Sequence, residues 1–188
     1  MTATQERVYR DVIDKSAWER GPWDDEPDKV QWVDESTGLD CLAVRVDIHG
    51  GWCGYVGVPS DHPWHGTDYS ECLTCGEAFC SEHEYTNRPE GRIEVHGGLT
   101  FADSCNESGP VESSVCHIPF DGRPDDIWWF GFDCAHARDY SPGTMASLSL
   151  LSAFRGHHDD SVYRTLNYVR AECARLAEQL NAVLKEAN

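Results

Sequence analysis

Hydrophobic and polar residues alternate along the first half of the chain in the pattern of half-buried strands. Val30 and Trp32 alternate with polar neighbours, and the apolar-rich stretch 42–48 follows after a turn that contains Gly38. This order of strand, turn and strand predicts a β-hairpin. A third strand is expected at residues 52–58, where apolar side chains continue up to a proline.

Further strands are expected in the second half of the chain. The strand pattern resumes at residues 92–102, and residues 127–132 read Ile-Trp-Trp-Phe-Gly-Phe. Because this second run is the most apolar strand candidate in the protein, we expect it in the centre of the sheet. A short helix is expected within residues 141–154, after a Pro-Gly pair.

The C-terminal segment has the periodicity of an amphipathic helix. Its apolar residues recur at alternating steps of four and three: Val162, Leu166, Val169, Cys173, Leu176, Leu180 and Val183. The pattern predicts a helix over 161–187 that begins after an N-cap at Asp160 or Ser161 and packs one stripe on the sheet. The same spacing also suits a seam between two helices in a homodimer.

These elements predict one α+β domain over residues 1–188. Its core is a mostly antiparallel sheet of about five strands packed by the long C-terminal helix, with a small zinc-binding insertion. The segments are an acidic N-terminal arm with a short helix (1–27), strands (28–59), the insertion (60–91), strands and a strand-end site (92–140), an irregular or short helical stretch (141–160) and the C-terminal helix (161–187).

The charge of the chain limits the partners it can bind. Asp and Glu number 33 against 15 Lys and Arg, which gives a formal net charge of −18. Such a balance repels phosphate backbones and anionic lipid, so direct nucleic-acid binding and membrane binding are disfavoured. The acidic residues are interspersed with other types, which favours a role in solubility, and the alternative is an acidic face that mimics DNA.

The cysteines are interpreted through the expected compartment. Residues 1–15 have no apolar export segment, and no apolar run approaches the roughly 18 residues that span a bilayer. We therefore expect a cytoplasmic protein. In a reducing compartment, the nine cysteines are expected to ligate metal or to pack as small hydrophobic residues, and not to form a disulfide framework.

The strongest chemical signal is a C-x2-C, x4, C-x2-H pattern. It consists of Cys72, Cys75, Cys80 and His83. Three thiolates and one imidazole are a preferred zinc ligand set, and four protein ligands leave no open position, so the site is predicted to be structural. His62 or His65 in place of His83 remains an alternative. The module resembles a zinc knuckle or minimal zinc ribbon, which implies a metal and no particular function.

An internal repeat provides a second candidate site. Residues 45–51 and 92–98 each read as a strand that runs into His-Gly-Gly. If the two strands are neighbours, His49 and His96 lie together at their ends, beside glycines that let a ligand approach closely. The alternative is a pair of turns whose histidines bond nearby backbone groups.

A third candidate site follows the apolar strand 127–132. Asp133 and His136 come directly after this strand, with Asp139 beyond them. Such side chains can orient a histidine, bind an ion or contact a polar ligand. Alternatively, Asp133 caps the turn that follows.

Three runs of the sequence resemble a protein family of unassigned function from phage and prophage genomes. They are residues 49–59, 95–101 and 128–136, and the cysteine module stands as an insertion between them. The resemblance implies a host cytoplasm as the setting.

Together, these patterns predict a zinc-stabilised phage-type accessory protein that binds a small polar ligand or a host protein. The candidate ligand-binding residues are His49, His96, Asp133 and His136. One alternative is a metal-dependent hydrolase or transferase that uses the same residues as metal ligands. The other is an acidic DNA mimic or anti-defence inhibitor.

Overall fold

A six-stranded antiparallel sheet forms the centre of the protein. The computed structural model describes residues 5–105, 109–149 and 160–187. Its strands are β1 (Glu6–Tyr9), β2 (Lys29–Val33), β3 (Asp40–Arg45), β4 (Trp52–Pro59), β5 (Phe101–Ser104) and β6 (Ile127–Asp133), in the order β1-β2-β3-β4-β6-β5. The predicted α+β class is confirmed, with one strand more than expected.

Three α-helices accompany the sheet in the part of the chain that the structure describes. They are α1 (Pro89–Arg92), α2 (Pro142–Ser149) and the long C-terminal α3 (Leu166–Glu186). Within the described ranges, none of these helices combines the length and the apolar character needed to cross a lipid bilayer. The predicted short helix after Pro142 is confirmed as α2, and the part of that prediction that falls on residues 150–159 lies outside the described residues.

The hairpin of β2 and β3 follows directly from the alternation in the sequence. Val30 pairs with Ala43 and Gln31 with Leu42, so successive residues point to opposite faces of the sheet. The turn between the strands closes at Gly38, whose φ of 75° is a conformation that glycine adopts without strain. This predicted hairpin is therefore confirmed.

Helix α3 covers one face of the sheet and forms the main core with it. Its apolar stripe is fully buried at Val169, Cys173, Leu176 and Leu180. The helix comes close because β4 has a glycine beneath it: a Cβ added at Gly54 would lie 2.9 Å from the Cys173 sulfur. The stripe is covered by the molecule's own sheet, so these residues are not available as a seam between two helices.

The opposite face of the sheet is covered by an irregular segment that two polar residues of β2 hold in place. The Lys29 ammonium group donates hydrogen bonds to the carbonyl oxygens of Val111, Ser114 and Cys116. The Gln31 amide bonds the backbone of Ile118 in both directions, at 2.6 and 3.1 Å. Burial lowers the pKa of Lys29 to about 8. The side chains of Lys29 and Gln31 therefore satisfy backbone carbonyl and NH groups of this irregular segment.

Two expectations about the strands are wrong. The N-terminal arm was expected to hold a short helix, but its residues Glu6–Tyr9 form the edge strand β1, paired with β2. The predicted strand 92–102 is a strand only from Phe101. Arg92 ends α1, and α3 side chains bond the backbone that follows: Gln179 bonds both the NH and the carbonyl of Glu94. A strand-like sequence thus lies on a helix and not in the sheet.

The start of α3 and the position of β6 in the sheet also differ from the expected ones. Helix α3 begins at Leu166, after Thr165, whose side chain accepts a hydrogen bond from the NH of Tyr168. Val162 is 53% exposed and lies outside the helix, because it pairs with Asp139 in an isolated parallel bridge. Strand β6 lies between β4 and β5, second from the edge and not at the centre of the sheet.

A buried ion pair joins the N-terminal arm, the sheet and the start of α3. The Arg45 guanidinium has no exposed side-chain surface and lies 2.9 Å from the Glu26 carboxylate. The same carboxylate accepts hydrogen bonds from the indole NH of Trp52, the hydroxyl of Tyr163 and, at 2.7 Å, the backbone NH of Leu166. Since Leu166 is the first residue of α3, Glu26 also satisfies an NH group at the helix end.

We predict that Glu26→Ala lowers the free energy of unfolding by about 3–5 kcal/mol, because the buried guanidinium keeps only the Asp28 carboxylate, 3.4 Å away, and the backbone NH of Leu166 loses its acceptor. Urea denaturation measures the loss. The matched control is Glu186→Ala, which removes a carboxylate that is 66% exposed and pairs with Arg92. Its expected cost is less than about 1 kcal/mol. Equal losses in the two variants would contradict this role for Glu26.

Candidate metal centre and histidine site

The cysteine module is a tight excursion between β4 and β5. An isolated bridge between Glu71 and Ala78 closes the loop that carries the first ligand pair, Cys72 and Cys75. Within it, the NH of Cys72 bonds the carbonyl of Glu77 at 3.0 Å, and the NH of Gly76 bonds the carbonyl of Cys72 at 2.8 Å. These bonds fold the first ligand pair into a turn that faces the second pair.

The module gathers four metal-ligating side chains. One ligand atom from each of Cys72, Cys75, Cys80 and His83 lies within 4.8 Å of the others. The Cys80 sulfur and the His83 Nδ1 are 3.3 Å apart. Cys72 and Cys80 are buried and Cys75 is exposed. The cluster can hold a metal ion.

Backbone NH groups point at the sulfur atoms of this cluster. Burial raises the pKa of Cys72, but hydrogen bonds from the backbone of Cys75 and Thr74 outweigh it, and the pKa lies below its ordinary value. A hydrogen bond from the backbone of Glu82 lowers the pKa of Cys80. Such NH groups suit thiolates, which is the form of cysteine that ligates metals.

The two alternative histidines lie elsewhere. His62 is buried, and both of its ring nitrogens have partners: Nε2 lies 3.0 Å from the Leu180 carbonyl, and Nδ1 accepts the NH of Trp64. His65 Nε2 lies 3.4 Å from a carboxylate oxygen of Asp126. The histidine that joins the three cysteines is therefore His83.

The remaining cysteines divide into two groups. Cys41, Cys53, Cys134 and Cys173 are free and buried, as expected of small hydrophobic residues. Cys105 and Cys116 form a disulfide that the sequence interpretation did not expect. The bond closes a loop whose carbonyl groups accept hydrogen bonds from Lys29.

A second cluster of polar side chains lies beside the end of β6 and the start of α3. The rings of His96 and His136 meet edge to face, with centroids 5.6 Å apart. His96 Nε2 is 2.7 Å from the Asp139 Oδ2, and His96 Nδ1 is 2.9 Å from the Tyr168 hydroxyl. Both nitrogens of His96 are thereby oriented by neighbours. We call this cluster the histidine site.

Asp139 is the buried anion of the histidine site. Its side chain is 1% exposed, and its Oδ1 accepts a hydrogen bond from Arg164 Nε at 2.7 Å. Its Oδ2 also accepts the backbone NH of His136 at 3.1 Å. Burial raises the pKa of Asp139, but the hydrogen bonds from Arg164, His96 and the His136 backbone outweigh this, so the pKa lies below its ordinary value.

His136 completes the site and contacts the second His-Gly-Gly motif. Its side chain is 35% exposed, and its Nδ1 lies 3.6 Å from Asp133 Oδ1 and 3.9 Å from Asp139 Oδ2. The backbone of Gly97 passes against the ring: a Cβ added there would lie 2.1 Å from the His136 Cε1. Glycine is required at this position both by the contact and by a φ of 68°.

The structure does not assemble the two-histidine concavity predicted from the repeat. Neither copy of the repeat runs as a strand into its histidine, because β3 ends at Arg45 and the second copy lies on α3. Among the described residues, the His96 ring contacts His136 and not His49. His49 Nδ1 accepts the NH of Gly51 at 3.0 Å, which is the turn alternative for this copy.

The other predicted site residue, Asp133, is a capping residue at the edge of the histidine site. Its Oδ1 accepts the NH of Ala135 at 3.0 Å, as the capping alternative expected. Sequence reasoning gave Asp139 only a minor part and missed Arg164 and Tyr168. The position of Asp139, three residues after His136, could have indicated its part in the site. No sequence pattern links Arg164 and Tyr168 to the site, because they lie at the distant start of α3.

No protein-family model, curated protein or solved structure matches this chain.

We predict that Asp139→Asn lowers the free energy of unfolding at pH 7 by about 2 kcal/mol, since a charged acceptor of three hydrogen bonds is replaced. The pKa of Asp139 is lowered on folding, so its contribution is complete above the unfolded carboxyl pKa of about 3.9. It is lost as the pH falls through the folded pKa. The deficit of the variant should therefore shrink on acidification below about pH 4.

Urea denaturation at pH 7 and at successively lower pH measures this difference. The control is Asp133→Asn, which changes a carboxylate with one backbone hydrogen bond and 29% side-chain exposure. A deficit in Asp139→Asn that is equal at all pH values would show that the charge of Asp139 does not stabilise the fold.

Proposed function

We propose that the protein is a zinc-stabilised binding protein of the phage-accessory type, with the histidine site as its ligand-binding surface. The observation that carries the proposal is the convergence of three cysteine sulfurs and one imidazole nitrogen within 4.8 Å. Zinc is the metal that this donor set favours, because it prefers thiolate and imidazole ligands in a tetrahedron. Four protein ligands leave no position for a substrate, so this ion is structural.

The module needs an ion because large apolar side chains in it are exposed and add little to its stability. Its loop carries Phe79 70% exposed, at a φ of 52° that side chains rarely adopt. Tyr85 is also exposed, at 58%. A segment that buries so little apolar surface is supported by metal ligation, which contributes of order 10 kcal/mol in small zinc modules.

The histidine site is the proposed ligand-binding surface because its polar groups are held in place and yet reach solvent. Asp139 is fixed by three hydrogen-bond donors, and His96 by Asp139 and Tyr168. His136 is partly exposed above them. Preorganised polar groups of this kind suit the recognition of a small polar ligand.

The proposed location is the host cytoplasm. Seven of the nine cysteines are free, three of them in the candidate metal cluster, and Cys105 and Cys116 form one disulfide. Free thiols and thiolate metal sites persist most readily in a reducing compartment.

We predict that the cysteine module of purified protein holds one zinc ion per chain, measured by elemental analysis as the zinc that Cys75→Ser loses. Cys75→Ser and His83→Asn should each lower zinc affinity by more than about 100-fold, because they remove a direct ligand, whereas loss of an outer-shell partner costs about 10–100-fold. Competition with a chromogenic chelator measures the affinity.

The matched control is His65→Asn, which changes a nearby histidine outside the cluster. This variant should retain zinc with unchanged affinity. Protein without zinc, or zinc that survives in Cys75→Ser with full affinity, would contradict the proposed module. Zinc loss in His65→Asn and not in His83→Asn would assign the fourth ligand to His65.

A further inference from the structure

We propose that His96, His136 and Asp139 form a second metal site, which binds one divalent transition-metal ion such as zinc. The inference rests on the proposed binding role of the histidine site and names the ligand of that site. It is independent of whether the cysteine module holds zinc, because the two clusters share no residue.

The spacing of the three side chains fits a single ion. One ligand atom from each lies within 4.8 Å of the other two. His96 Nε2 lies 2.7 Å from Asp139 Oδ2, and His136 Nδ1 lies 3.9 Å from the same oxygen. Ligand atoms about 2.1 Å from a tetrahedral zinc ion are about 3.4 Å apart. The two observed distances bracket this value, so small side-chain rotations make room for the ion.

An unpartnered nitrogen points independently to a missing ligand. His136 Nδ1 is shielded from solvent and has no hydrogen-bond partner among the described residues. Its nearest carboxylate oxygens, on Asp133 and Asp139, are 3.6 and 3.9 Å away. A buried polar atom without a partner is costly. A metal ion between His136 and Asp139 would satisfy it.

The surroundings supply the outer hydrogen bonds that metal ligands need. When His96 Nε2 binds the ion, its ring proton resides on Nδ1 and is donated to the Tyr168 oxygen, 2.9 Å away. Asp139 keeps its bond from Arg164 through the oxygen that does not face the histidines. A histidine ligand that donates its other NH and a carboxylate ligand that is itself hydrogen-bonded are the usual arrangement.

The two sites differ in what the ion can do. Two histidines and one carboxylate provide only three protein ligands, which leaves at least one coordination position for water or an anionic ligand. An ion here therefore has a free coordination position, whereas four protein ligands fill every position of an ion in the cysteine site.

Titration with Co²⁺ of protein that carries one equivalent of zinc tests the proposal, with calorimetry for stoichiometry and visible absorption for ligand type. We expect one further ion per chain, without the thiolate-to-cobalt absorption of a cysteine site. His136→Ala should weaken this second binding by more than about 100-fold, because it removes a direct ligand. The matched control is His49→Ala, whose ring bonds its own chain at Gly51, and it should bind the ion as the unmodified protein does.

A pair of glycine variants provides a second test that leaves all ligands in place. Gly97→Ala places a methyl group 2.1 Å from the His136 ring. The methyl group of Gly98→Ala meets no atom within 4 Å. Both positions have positive φ, 68° and 88°, so both variants carry similar backbone strain. We expect Gly97→Ala to lose the second ion and Gly98→Ala to retain it, with folding of both checked by circular dichroism.

No second ion in the unmodified protein, or a second ion that His136→Ala retains at full affinity, would overturn the proposal. Equal binding by Gly97→Ala and Gly98→Ala would also count against it. Failure of the cysteine module has a different signature: the protein would lack the zinc that depends on Cys75 and still bind the ion that depends on His136.

Discussion

The buried Arg45 guanidinium is the interaction on which the arrangement of the chain depends. A cation without solvent contact must be compensated by anions and carbonyl groups. Arg45 meets this need with the carboxylates of Glu26 and Asp28 and the carbonyl of Gly50. Glu26 in turn binds Trp52 of β4 and the first NH of α3. One ion pair thereby fixes the N-terminal arm, two strands and the position at which the main helix begins.

The position of that helix determines the histidine site. Arg164 and Tyr168 flank the first residue of α3, and they hold Asp139 and His96 respectively. Arg164 reaches the site because it lies between the docked helix α3 and Val162, which pairs with Asp139 in the parallel bridge. The Arg45–Glu26 ion pair therefore influences the geometry of the histidine site by fixing the start of α3, although neither residue belongs to that site.

Local pattern was enough to predict the β2–β3 hairpin, the buried stripe of α3 and the cysteine cluster, because each is encoded within a short window of sequence. It failed for residues 92–100, where α3 side chains bond the backbone in place of a neighbouring strand. It also paired His96 with His49, since the repeat suggested equivalent strands. The actual partners, His136 and Asp139, are set by a glycine contact and a helix end that no periodicity encodes.

The two candidate ion sites differ in their ligands: one has three cysteines and a histidine, and the other has two histidines and a carboxylate. The proposed function depends most directly on the cysteine site. The most direct measurement is X-ray absorption at the zinc edge on protein loaded with one equivalent of zinc. The account predicts a first shell of three sulfurs at about 2.3 Å and one nitrogen at about 2.0–2.1 Å. A first shell of nitrogen and oxygen alone would contradict it.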